Sequence, residues 1–116
     1  MTLTVEQHPK IINNYNISKI FYQNKPISII NTEEQQLWVE NDLIRALGIT
    51  DKYLEQFLHL NPLVANWIQQ MLIPEISYHQ QRVWEIEAVY WLAATRNKFF
   101  IWEDVLHFIY EQRYPL

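Results

Sequence analysis

The stretch "LIRALGITDKYLEQFL", residues 43–58, contains Gly48, the only glycine in a chain of 116 residues. Helix-forming residues flank it on both sides. Glycine enters the left-handed backbone region without steric cost, so Gly48 is placed to close one helix and turn the chain into a second. Asn41 or Asp42, both good N-caps, starts the first helix. Thr50 caps the second, with Asp51 in its first turn, where a carboxylate complements the helix dipole. Leu43, Leu47, Ile49, Leu54 and Phe57 are spaced to meet in one small core between the two helices. The interval from Gly48 to Leu54 is that of helix-turn-helix units. The same spacing also describes an ordinary helix pair packed in a core.

Outward from this unit, the preceding residues read as strands. "ISKIFY" and "PISII" are dominated by β-branched and aromatic residues, and Gln23, Asn24, Lys25 and Pro26 supply a turn between them. "NTEEQ" makes a second polar turn before a short strand, "LWV", at residues 37–39. Residues 1–16 are polar and rich in asparagine and read as a flexible arm, leaving residues 17–116 as a single domain. Beyond residue 40 the periodicity is mostly helical. "NPLVANWIQQMLIP", residues 61–74, predicts a helix capped by Asn61, started by Pro62 and stopped by Pro74. "ISYHQQRVWEI" reads as two short strands joined near Gln80 and Gln81. A helix follows from Glu87 through "AVYWLAATR", and "WEDVLHFIYEQ" forms the last. The expected class is α+β: small N-terminal antiparallel strands, then a helical region containing a helix-turn-helix.

Composition narrows the function. Hydrophobic residues make up 49% of the chain and aromatics 15%, which is globular rather than disordered. The formal charge of -4 offers no global attraction to nucleic acid or an acidic membrane. There is no cysteine, which fits a reducing, cytoplasmic setting. No signal-peptide pattern or run long enough to span a bilayer is expected. One glycine leaves no phosphate-cradling loop or dinucleotide fingerprint. The serines lack a nucleophile-elbow context, and the histidines show no metal-binding pattern. Glu55 and His59, one helical turn apart, read as a solvated pair. The expectation is a protein that is not an enzyme and carries no cofactor and no metal.

If the second helix is a reading element, its outward residues are Asp51, Lys52, Tyr53, Glu55, Gln56 and His59. Gln56 suits adenine, and Lys52 suits guanine or phosphate. Arg45, Arg96 and Lys98 are candidate backbone contacts. The helix itself offers one cation against two anions, and DNA affinity rests largely on phosphate neutralisation. The segment from Trp84 to Tyr114 is dense in aromatics, including Tyr90, Trp91, Trp102 and Tyr110. Such residues fill the core, anchor a protein interface or, less readily without interleaved cations, stack single-stranded bases.

The order of these motifs resembles the BRO-N domain of viral and phage proteins, including phage antirepressors. In that family an extended stretch runs into a motif matched here by "LWVENDLIRALGI", through Leu37, Trp38, Val39, Asp42, Leu43, Ala46, Leu47 and Gly48. Further on, Val89, Tyr90, Leu92, Arg96, Lys98, Trp102, Val105 and Leu106 follow the family's order across "VWEIEAVYWLAATRNK" and "FFIWEDVLHFI". The resemblance covers roughly residues 17–110 and implies a DNA-binding phage or prophage regulator. A homodimer suits a helix-turn-helix reading paired half-sites. The acidic balance, and Ala88 where the family carries glycine, favour the alternative of an inhibitor or antirepressor that occludes a basic protein partner. Its contacts would come from Asp51, Glu55, Trp91, Trp102 and Tyr110.

Overall fold

A computed structural model of the protein describes residues 14–96 and Glu111. Within them lies a five-stranded antiparallel sheet of order β1-β2-β3-β5-β4. The strands are β1 (Asn16–Tyr22), β2 (Lys25–Asn31), β3 (Gln36–Val39), β4 (Ile68–Leu72) and β5 (Gln80–Glu85). Helices α1 (Glu40–Leu47) and α2 (Asp51–Leu60) and a 3-10 helix (Pro62–Trp67) connect β3 to β4, and α3 (Ile86–Arg96) follows β5. The α+β class is as expected. Among the described residues, no helix is long and apolar enough to cross a membrane.

The β1–β2 hairpin closes on Gln23 (φ 50°) and Asn24 (φ 66°). Positive φ at both central positions matches the right-handed twist of the flanking strands. Strand pairing then divides the side chains between two faces. On one face Ile29, Trp38, Trp84 and Ile68 lie side by side across four strands. Trp38 and Trp84 are completely buried there, packed with Leu43, Leu47, Leu54, Phe57, Val89 and Leu92 from the helices. On the other face Ile30, Leu37, Val39, Met71 and Val83 form a second buried cluster with Ile73. Burial on both sides explains why β3 reads "LWV" without polar alternation.

The first turn of α1 is stitched to the sheet by its own side chains. Glu40 Oε1 accepts hydrogen bonds from Arg82 Nε at 2.7 Å and Trp84 Nε1 at 2.9 Å, both on β5. Arg82 Nη2 also lies 2.6 Å from that oxygen. Asn41 Nδ2 donates to Gln81 Oε1 at 3.3 Å. Asp42 Oδ2 accepts the backbone N–H of Ser28 at 2.9 Å. Ser28 sits one residue beyond the β2–β3 ladder, which begins at Ile29. The carboxylate therefore takes over where the pairing with β3 stops. Neither Asn41 nor Asp42 acts as the N-cap: α1 begins at Glu40, with Val39 as a cap that makes no side-chain bond. These side chains point to the sheet instead.

The helix expected over residues 61–74 is absent. Pro62 starts only the 3-10 helix, and the chain then enters β4, which pairs with β5 from Ile68 opposite Trp84 to Leu72 opposite Gln80. Local punctuation favours a helix, but one side of β5 is filled by β3, and its other row of backbone groups needs a partner. Period-two burial results: Met71 and Ile73 are buried, whereas Leu72 is exposed. The two strands expected within "ISYHQQRVWEI" are one, β5, preceded by a turn over residues 74–76. β1 begins at Asn16, one residue inside the arm read from the sequence, and residues 1–13 of that arm lie outside the described residues. The final helix, "WEDVLHFIYEQ", falls outside them too except for Glu111, which is helical.

Glu40→Ala strands the buried Trp84 N–H and removes the partner of the half-exposed Arg82, and should lower stability by about 2–3 kcal/mol in urea unfolding. Glu40→Gln, which keeps an acceptor, should cost less. A loss in Glu40→Ala no larger than at an exposed position would show that the contact does not anchor the fold.

Candidate functional site

The α1–α2 junction has the geometry expected of it. Gly48 is left-handed (φ 68°), and the N–H groups of Gly48 and Ile49 donate back to the carbonyls of Arg45 and Ile44. No atom lies within 4 Å of where a Cβ would stand on Gly48. Glycine is therefore required by backbone conformation, not by crowding. Thr50 caps α2, its hydroxyl accepting the N–H of Tyr53 at 3.1 Å. Leu43, Leu47, Ile49, Leu54 and Phe57 are all buried in one cluster, as their spacing predicts. Phe57 stacks on Trp84, with centroids 6.4 Å apart and planes 21° from parallel. This contact sets α2 on the sheet through the same Trp84 that donates to Glu40.

With Leu54 and Phe57 buried, the opposite side of α2 is outward. Asp51, Lys52, Glu55, Gln56 and His59 are exposed there, and Tyr53 is half-buried. A shallow cleft of about 450 Å³ is bordered by Glu55, Gln56, His59 and Leu60. Leu60, the last residue of α2, and Leu63, in the 3-10 helix that follows, are 75% and 67% exposed. Burial would be the default for leucine, so their position extends the polar face of α2 into an apolar one. Trp91, at 42% exposure, packs against Trp67 at 5.9 Å from centroid to centroid. Trp84 is buried, and Tyr90 is partly exposed at 36%. Among the described residues of that segment, Trp84 belongs to the core and Tyr90 and Trp91 reach the surface.

Of the candidate backbone contacts, Arg45 lies on α1 rather than on the reading helix. Its side chain is exposed and lies 3.4 Å from Asp42. It opens onto a different cleft, shared with Lys19, Ser28, Asp42 and Glu75. Arg96 is the last residue of α3. Lys98, Trp102 and Tyr110 lie outside the described residues. Sequence reading missed Glu40, Leu60 and Leu63. Leu63 lies in the stretch expected to be one helix and falls instead in the 3-10 helix, where it is exposed. Comparison with protein-family models, curated proteins and solved structures finds no match.

Among the described residues, Tyr15 has a perturbed hydroxyl. The Tyr15 hydroxyl donates to Glu75, 2.7 Å from one carboxylate oxygen and 2.9 Å from the other. That hydrogen bond, with smaller contributions from burial and the carboxylate charge, raises the pKa of Tyr15 above the ordinary tyrosine value. The stabilisation is fully present below about pH 10 and is lost as pH rises through the raised value. In a tyrosine-ring NMR titration, Tyr15→Phe should remove a resonance whose midpoint lies above pH 10. Glu75→Gln should move that midpoint downward.

Gly48→Ala should destabilise by about 1–2 kcal/mol through backbone strain alone, and Gly48→Asn by less. Equal stability of Gly48→Ala and the parent in urea would contradict the left-handed geometry.

Proposed function

We propose that this chain is a non-catalytic regulatory binding module that uses the α1–turn–α2 unit to dock a protein with a basic surface. The observation that carries this reading is the outward side of α2. Asp51 and Glu55 flank a single cation, Lys52, and exposed Leu60 and Leu63 continue the surface. Acidic residues that run into an apolar patch suit a basic protein surface, with charge guiding encounter and apolar contact slowing release. Phosphate contacts need clustered cations, and Arg45 opens onto another cleft. The resemblance of residues 37–48 to the BRO-N motif supports a phage or prophage setting, in which an antirepressor acts by occluding a nucleic-acid-binding protein.

A second reading, a DNA-binding regulator, is favoured by the turn itself. Gly48 and Thr50 hold α2 in helix-turn-helix fashion, with Lys52, Gln56 and His59 outward. Both readings meet in one experiment. A photo-crosslinker placed at Gln56 in cells should trap a protein partner, and Asp51→Lys with Glu55→Lys should weaken binding of that purified partner by about tenfold or more. The purified chain should show no salt-dependent affinity for mixed DNA fragments. DNA binding that falls steeply with salt, and is lost in Lys52→Ala and Gln56→Ala, would overturn the protein reading in favour of the DNA one.

A further inference from the structure

On the opposite side of the α1 first turn from the Glu40 anchor lies a cleft of about 570 Å³. Its walls come from three places in the chain. Ile17, Lys19, Pro26 and Ser28 are contributed by the β1–β2 hairpin, Asp42 and Arg45 by α1, and Glu75 and Ile76 by the turn after β4. Their proximity follows from contacts already described. Lys19 faces Ser28 across the β1–β2 ladder. Ser28 donates its N–H to Asp42. Arg45 stands one helical turn beyond Asp42 and beside it. Tyr15, just before β1, holds Glu75 on the far wall.

The charged groups in this cleft sum to zero, but their hydrogen-bonding capacity does not. Both carboxylates already accept hydrogen bonds from the protein. Asp42 takes the Ser28 N–H on one oxygen and faces Arg45 with the other. Glu75 takes the Tyr15 hydroxyl. The cations are far less used. Among the described residues Lys19 has no ion-pair partner, and only one Arg45 nitrogen approaches Asp42, at 3.4 Å. An ammonium carries three donors and a guanidinium five. What the protein itself leaves unused is therefore donor capacity, open to water or a ligand, next to apolar surface from Ile17, Pro26 and Ile76. The volume is that of a small-molecule site, and the lining combines apolar surface with a few convergent polar groups.

We propose that this cleft binds a small organic anion. Its carboxylate or phosphate is held by Lys19 and Arg45, and its apolar body lies against Ile17, Pro26 and Ile76. The Tyr15–Glu75 bond holds the Glu75 carboxylate on the far wall. This site is separate from the α2 surface, and the proposal does not rest on the function proposed for that surface.

Titration calorimetry and amide NMR on the full chain, with hexanoate, phenyl phosphate, inorganic phosphate and benzylamine as probes, test it. At least one of the two organic anions should bind, shifting amides of Lys19, Ser28 and Arg45. The tighter of the two identifies the headgroup. Lys19→Gln and Arg45→Gln should each weaken that binding about tenfold, the scale of one lost charge-assisted hydrogen bond. Both residues are exposed, so the variants should melt like the parent, and Lys52→Gln on α2 should bind like the parent. Inorganic phosphate binding as tightly as the organic anions would remove the apolar contribution and overturn the assignment. Benzylamine binding as well as the anions, or no anion binding at about 10 mM, would overturn it too.

Discussion

One carboxylate oxygen organises this fold. Glu40 Oε1 sits where β3 becomes α1 and gathers donors from Arg82 and Trp84 on β5. β3 and β5 are neighbours in the sheet, so the contact fixes the angle at which the first helix leaves it. The side chain of Glu40 is only 13% exposed, whereas that of Arg82 is 40% exposed. The pair is thus protected from screening without a full desolvation penalty at the guanidinium. Trp84 couples this electrostatic contact to the apolar core, because the ring whose N–H meets Glu40 carries Phe57 on its face. Through those two contacts the position of α2, and of every residue exposed on it, is referred back to the sheet.

Much of this was legible from local chemistry. A lone glycine between helix formers, followed by threonine, specifies a left-handed stop and a capped restart, and both are found. The β1–β2 hairpin and β3 were readable because β-branched residues and turn residues alternate in distinct blocks. The failures share one physical origin. Residues 68–72 satisfy helical spacing and are bounded by prolines, yet they form β4, because pairing with β5 satisfies a row of backbone groups that local preference ignores. Asn41 and Asp42 look like caps, but their side chains meet Gln81 and Ser28. A capping residue and a tertiary hydrogen-bond partner have the same composition, and only the third dimension separates them.

The surface was partly readable too. Periodicity placed Asp51, Lys52, Glu55, Gln56 and His59 on the outward side of α2 correctly. It could not say that Arg45 turns toward the β1–β2 hairpin, since that depends on Asp42 reaching Ser28 across the fold. Nor could it reveal Lys19 as a cleft residue. In "ISKIFY" the lysine looks like a solvated position on a strand, and only the β1–β2 register sets it beside Asp42 and Arg45.

The strand order carries a kinetic consequence. β1, β2 and β3 pair in sequence as a local meander, but β5 slots between β3 and β4. Its bonds to Glu40 span 42 and 44 positions of the chain. Loop closure over such distances is slow compared with hairpin formation. During synthesis on the ribosome the amino-terminal meander and the acidic start of α1 emerge well before the arginine and tryptophan that complete them. Until β5 arrives, the inner edge of β3 stays open to other strands, so the interval between making Glu40 and making Arg82 is when a nascent chain is most exposed to misassembly.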